Sequence, residues 1–327
     1  MEVGAYCWVL VLHRAEYRTC HLVLLRNIQI SFIEKSTHFV LRCVMIDSNQ
    51  KIIYSIIEKF VKENQKEEGP VGFLTEALGI KAREVISLVG AGGKTTLMFR
   101  LAKELLLNGK RVVTTTTTRI LKPASGETGF LLIDPDEEKI KDFVRRQLDQ
   151  HHHITVAMGS LESGKLKGIS PNLVNGLWSL HGIDTIITEA DGAAGRPVKA
   201  PRENEPVIPT STTLVVAVLG VDGMERELNE ENVYQPERVS KITGIPVGER
   251  LTDEAMAALM THSEGIFKGA PSSSRVVAFL NKVDIPDGTT KARNIAQKIL
   301  NKKHRQIERI VLGQLRREPP VAEVIFP

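Results

Sequence analysis

Gly90-Ala91-Gly92-Gly93-Lys94-Thr95-Thr96 combines residue types that together could hold a phosphate chain. Glycines let the backbone approach an anion without Cβ clashes. Lys94 supplies a cation for phosphate oxygens, and Thr95 a hydroxyl for Mg²⁺. Before this run stands "VISLV", from Val85, an apolar and β-branched segment suited to a buried strand. After it, Leu97, Met98, Leu101, Ala102, Leu105 and Leu106 recur at helical spacing. Strand, tight turn and helix N-terminus in that order make an anion site, because the first helical amides lack intrahelical partners.

The spacing departs from the common G-x-x-x-x-G-K-[ST] pattern, since the position five residues before Gly93 is Leu88. The loop is two residues shorter and has the length of the G-T-N-G-K-T-T loop of Mur-type ligases. A structural turn with an exposed lysine is the competing reading; the strand–loop–helix context favours a short phosphate loop. Gly90 to Thr96 are therefore expected around the phosphates of GTP or ATP.

The polar ends of other strands should face the same crevice, since ligands bind at the carboxyl ends of parallel strands. In "IITEADGAAGRPVKAP", Glu189 and Asp191 follow an apolar run, as a Mg²⁺ anchor and a water-positioning group would. With Thr95 they form the expected metal set, and with Lys94 the expected catalytic set; an acidic turn pair is the bland alternative. Arg196 and Lys199 lie just beyond and are candidates to neutralise phosphate or clamp an acidic ligand. In "RVVAFLNKVD", Asn281, Lys282 and Asp284 have the form N-K-x-D, which in GTP-binding proteins reads guanine through the aspartate. Thr116, Thr117 and Thr118, at the end of a threonine run, are candidates to contact Mg²⁺ or the γ-phosphate, against plain β-propensity. His151, His152 and His153 lack metal-ligand spacing and read as a solvated helix end. Asp222 reads as a turn residue.

These residues need a scaffold. Strands are expected at "RVVTTTTTRI", "ITVAMG" from Ile154, "DTIITE" from Asp184, "TLVVAVLG" from Thr213, "RVVAFLN" from Arg275 and "IERIVLG" from Ile307 as the last. Helices are expected over Asp136–Gln150, Thr252–His262 and Thr290–Lys303, with "KGAPSSS" a surface loop. The alternation predicts an α/β fold with a doubly wound, mostly parallel sheet of P-loop NTPase type over residues 81–327. Residues 45–80 read as a helical preface.

The chain has 327 residues, 42% of them hydrophobic and 25% charged, the composition of a globular protein with a large core. A net charge of +4 and 5% aromatic residues give no basic, aromatic-laced stripe for nucleic acid. No apolar run spans a bilayer, so no membrane partner is expected. Cys7, Cys20 and Cys43 all lie in the first 44 residues, which carry five Lys/Arg, three Glu and no Asp. The absence of a disulfide framework beyond them suits a cytoplasmic location. Translation is expected to start at or after Met45, with residues 1–44 an extension.

Together, "EVISLVGAGGKTTLMFRLAKEL", "VTTTTTRI", "ITEADGAAGRPVKAP", "YQPERVSKITGIPVGERLTDE", "HSEGIFKGAP" and "FLNKVD" resemble the YqeC family, over about Phe73 to Val324. Members are described as accessory proteins of selenium-dependent molybdenum hydroxylases. The resemblance implies a P-loop NTPase-like protein whose partner is a molybdenum hydroxylase apo-enzyme or its cofactor. Arg119 stands where the family commonly has His, which removes any role for an imidazole there. Three functions are open: a Mg²⁺-dependent nucleotide hydrolase in hydroxylase maturation, an ATP-dependent kinase or ligase, and a non-hydrolytic nucleotide-gated chaperone.

Overall fold

A computed structural model describes residues 73–327 and three strands nearer the N-terminus. Those strands, β1 (Cys7–Leu12), β2 (Ile28–Lys35) and β3 (His38–Met45), form an antiparallel sheet in the order β1-β3-β2. They belong to a unit of their own, Met1–Glu68, and do not bear on where translation begins. The expected helical preface falls outside the described residues, except for Met45, which ends β3, and its last residues from Phe73. There α1 (Leu74–Ala77) is a single turn whose start is held by Glu104, which accepts hydrogen bonds from the amides of Leu74 and Thr75.

The second unit, Gly69–Pro327, is built on one nine-stranded sheet. In chain order its strands are β4 (Glu84–Gly90), β5 (Val112–Thr116), β7 (Phe130–Ile133), β8 (His153–Ala157), β11 (Thr185–Glu189), β13 (Leu214–Gly220), β15 (Arg275–Asn281), β16 (Ile307–Gly313) and β17 (Val321–Ile325). Short strands β6 (Arg119–Leu121), β9 (Gly159–Ser160) and β10 (Lys165–Lys167) form a side sheet, and β12 (Val198–Lys199) pairs with β14 (Val233–Tyr234). The order across the main sheet is β17-β16-β15-β13-β4-β11-β5-β8-β7, with every pairing parallel except β16 with β17. The α/β class and the mostly parallel sheet are as expected.

Helices cover both faces. They are α2 (Lys94–Leu107), α3 (Glu137–His151), α4 (Pro171–Trp178), α5 (Pro236–Thr243), α6 (Asp253–Thr261) and α7 (Gly288–Asn301). Strand β4 shows why its sequence is mostly apolar: all seven residues are buried, and its apolar side chains alternate between two cores. Ile86 and Leu88 pack with Leu97, Met98 and Leu101 of α2, whereas Val85 and Val89 face the opposite layer. That layer is α3 and α4 over one half of the sheet and α5, α6 and α7 over the other. Consecutive connections thus run to either side of β4, and its carboxyl end lies where the winding reverses.

Several elements differ from expectation. The threonine run does not continue as one strand: β5 stops at Thr116, whose hydroxyl accepts from the Thr118 amide. That side-chain turn takes over from the ladder, and Gly168 and Ile169 donate to the Thr118 and Thr116 carbonyls. The last strand is β17, not β16; its residues after Val321 are half-buried at a sheet edge and follow Pro319-Pro320, which hides them from an apolar-run criterion. Helices α4 and α5 are too short for periodicity, yet both carry start signals. Ser170 caps the Leu173 amide ahead of Pro171, and Pro236 opens α5, which Gly244 ends at φ 76°.

His153 is a correction: it is not part of a solvated helix end but a buried residue of β8, bonded to the Thr114 hydroxyl at 2.9 Å. His152 makes the reversal, capping α3 in the left-handed region at φ 55°. Burial drives the His153 imidazole from its ordinary 6.5 down to about 4. The unfolded chain therefore takes up a proton first, and stability falls as pH drops from 6.5 towards 4. The full loss is about 3 kcal/mol. Thermal melts across that window should show the decline, and His153→Gln, which keeps a partner for Thr114 and cannot titrate, should flatten it.

Candidate functional site

The carboxyl ends of β5, β11, β4, β13 and β15 lie side by side, so the residues leaving those strands meet at one edge of the sheet. Register makes this concrete: Glu189 sits opposite Leu88 and Thr116, Val218 opposite Gly90, and Gly220 opposite Asn281. The other edge is a structural tie, in which buried Glu84 of β4 pairs with Arg275 of β15 at 2.6 Å.

Gly90, Gly92 and Gly93 all have positive φ, of 95°, 87° and 143°. The glycines are also required by space. A Cβ on Gly90 would stand 2.2 Å from the Val218 carbonyl oxygen, one on Gly92 2.4 Å from the Gly220 nitrogen, and one on Gly93 2.3 Å from Asn281 Nδ2. Ala91 is buried and donates to the Val218 carbonyl at 2.9 Å, pinning the loop to β13. Beyond it the amides of Gly92, Gly93, Lys94, Thr95 and Thr96 find no acceptor among the described residues. No side chain caps α2 and no acid lies in its first turn. A run of free amides at the positive end of a 14-residue helix is an arrangement that holds phosphate oxygens.

Lys94 folds back beneath this loop. Its ammonium donates to the Gly90 carbonyl and lies 3.1 Å from Asp191 Oδ1 and 3.7 Å from Glu189 Oε1. Burial works against the charge, but the two carboxylates outweigh it and hold the Lys94 pKa above its ordinary value. Burial pushes the Glu189 carboxyl up, against Lys94 and the Thr95 hydroxyl, which donates to Glu189 Oε2 at 2.7 Å. Asp191 is fully buried and accepts from the Gly90 amide at 3.0 and 3.1 Å. Lys199 reaches its other side, with Nζ 2.9 Å from Oδ2.

The two acids are therefore not equivalent. Asp191 has both oxygens engaged by the Gly90 amide and two ammonium groups, whereas Glu189 keeps coordination capacity next to the Thr95 hydroxyl. Hard oxygen donors of this kind fit Mg²⁺, which takes one or two protein carboxylates or hydroxyls and completes its shell with phosphate and water. Among the described residues no cluster of three His, Cys, Asp or Glu could hold a metal unaided, so such an ion would depend on a phosphate ligand.

Other expected residues take different places. Lys199 is fully buried between Asp191, Glu205 Oε2 at 2.9 Å and the Gly192 carbonyl at 2.7 Å, so its ammonium does not reach into open space. Arg196 is directed to the Glu230 and Ala194 carbonyls. The Thr116 hydroxyl donates to the Glu189 carbonyl at 2.8 Å and that of Thr117 to the Val207 carbonyl at 2.7 Å. The threonines thus fasten the strand end that carries Glu189. Asn281 is buried with its amide spent inside the protein, donating to Gly92 O at 2.8 Å and accepting from the Leu315 amide at 3.3 Å. It fixes the height of the glycine loop. Lys282, at φ 69°, pairs with Asp222 at 2.7 Å, and Asp284 lies 3.5 Å from Arg317. Glu205 and Arg317 carried no sequence signal, because each lies in a polar loop where charge is unremarkable.

A surface groove of about 330 Å³, lined by Asp134, Lys139, Asp142, Phe143 and Arg146 among others, lies at the β7 edge. Strands β11, β5 and β8 separate that edge from β4.

The model of a family described as "YqeC protein" matches residues 86–237, which span the loop, both acids and Lys199. A relative in Escherichia coli (strain K12), named uncharacterized protein YqeC, is 32% identical over 252 residues, covering 75% of this chain and 93% of its own. Among solved structures, a phospho-2-dehydro-3-deoxyheptonate aldolase (DAHP synthase) from Thermotoga maritima aligns at 13% identity, over 88% of this chain and 62% of that one. Its TM-score of 0.19 is too low to indicate a shared fold.

Proposed function

The chain belongs to the YqeC family, and from that premise and the site's geometry we propose that it is a Mg²⁺-dependent nucleotide-binding protein of P-loop NTPase type that hydrolyses GTP or ATP. The observation that carries this reading is the run of unpartnered amides from Gly92 to Thr96. It lies above a buried lysine and beside two carboxylates. Lys94 and the loop amides bind the β- and γ-phosphates. Thr95 and Glu189 hold the cation, which neutralises phosphate charge when bound. Asp191 fixes Gly90 and thereby the entrance of the loop. Catalysis is then chiefly positioning and charge stabilisation of a transferring phosphoryl group.

The family resemblance extends the reading to a pathway: nucleotide turnover serves maturation of a selenium-dependent molybdenum hydroxylase in the cytoplasm, acting on the apo-enzyme or its cofactor. Base choice turns on Asp284. Asn281 braces the loop, which leaves Asp284 as the N-K-x-D residue free to read a base once it parts from Arg317. Calorimetric titration of the protein with GTP and with ATP, each with Mg²⁺, tests both points. Binding of GTP over ATP is expected, with the preference lost in Asp284→Ala. A preference for ATP unchanged in that variant would make N-K-x-D a coincidence and leave a kinase or ligase. Binding of neither would reduce the glycine loop to a turn.

A further inference from the structure

Lys199 poses a question that the nucleotide reading does not answer. Asp191 already has Lys94 on Oδ1 and the Gly90 amide across both oxygens. A second lysine, fully buried, is nonetheless brought onto Oδ2 from β12. Burying an ammonium is costly unless every proton is placed. Here they are placed: on Asp191, on Glu205, and on the Gly192 carbonyl. Glu205 is held in turn by the Arg202 amide, at 3.3 Å, and the Tyr234 ring lies 5.3 Å from the ammonium.

We propose that Lys199 is a positioning residue that takes over Asp191 when Lys94 is drawn onto the phosphates. This rests on the nucleotide reading and deepens it. Lys94 cannot serve both clients: its ammonium is now spent on Gly90 O, Asp191 and Glu189, and a phosphate held by the free amides of Gly92 to Thr96 would draw the same protons away from them. Its departure would leave Asp191 buried with a single amide donor. Lys199 supplies the charge that remains, so the carboxylate keeps its grip on Gly90 and the first turn of the loop holds its shape while occupied. Binding energy is then not spent on stranding a buried anion. The charges that face one another in this cluster are Lys94 from α2, Glu189 from β11, Asp191, Lys199 from β12 and Glu205.

The test compares nucleoside triphosphate affinity in wild type, Lys199→Arg and the double variant Lys199→Met/Glu205→Gln. The double variant removes one charge of each sign, so it retains no stranded Glu205 and is the variant expected to fold; circular dichroism checks this. Affinity should fall at least about tenfold in the double variant, and Lys199→Arg should recover most of it, as loss of one charged contact implies. A folded double variant that binds like wild type overturns the proposal. A crystal structure of the wild-type nucleotide complex tests it without any variant. Lys94 should be found on phosphate with Lys199 still on Asp191; Lys199 released, or Lys94 still on Asp191, overturns it. Failure of the wild type to bind any nucleotide is a different result, since that removes the nucleotide reading itself and this inference with it.

Discussion

Lys94→Ala should cost the protein at least about 100-fold in nucleoside triphosphate affinity, while the chain still folds. The size follows from what the ammonium does. A charge-assisted hydrogen bond to phosphate in a buried site contributes about 1.5–3 kcal/mol, and the Lys94 ammonium, once drawn onto the phosphates, has protons for more than one. Loss of fold is the competing outcome, because truncating one partner of a buried ion pair costs about 3–5 kcal/mol when the other is left charged and alone. Two features reduce that penalty here. Asp191 retains Lys199 and the Gly90 amide, and Glu189 retains the Thr95 hydroxyl, with burial already favouring its neutral form. The stability loss should therefore fall towards the lower end, visible as a reduced Tm with a cooperative melt. Calorimetry on the folded variant separates the two effects. Affinity within a few-fold of wild type would mean that Lys94 is a structural strut for the two acids and never meets phosphate.

That lysine was legible in the sequence because its context is local. A buried strand, a glycine turn and an amphipathic helix are all written within Val85–Leu106, and each constrains its neighbour. The parallel sheet was legible for the same reason: strands buried on both faces read as apolar runs. The charge pairing of Lys199 was not: Glu205 stands only six residues further on, but the two meet through the irregular path of the 190–212 connection, which no periodic pattern sets. His153 shows the opposite failure. Three consecutive histidines look solvated, yet a left-handed His152 turns the chain so that its neighbour enters β8. The four-residue motif marks Asn281 for a base contact, whereas in the structure its amide donates to Gly92 O and fills the space that a Cβ on Gly93 would take. Local pattern thus marks the candidate residues, and chain path and packing set what each of them touches.

Glu189→Gln is the substitution expected to separate binding from turnover. Glu189 ends β11 and Asp191 follows it, but only Glu189 has capacity left for a cation and an attacking water; Asp191 is saturated by Gly90, Lys94 and Lys199. Glutamine keeps the shape, and its amide oxygen can still accept from the Thr95 hydroxyl, so the loop and its anion site should persist. What disappears is the negative charge beside Thr95. Triphosphate affinity should stay within a few-fold of wild type, while hydrolysis, followed as phosphate release, should fall by about 10²–10³, the range for removing one positioned electrostatic group. Asp191→Asn should behave differently. It weakens the hold on Gly90 and removes the anion between two buried lysines, so its effect should appear in Tm and in affinity as well as in rate. Reversal of these two signatures, with Asp191→Asn silent in binding and dead in turnover, would transfer the catalytic role to Asp191. Equal loss of binding in both variants would make the pair a single structural clamp on the loop.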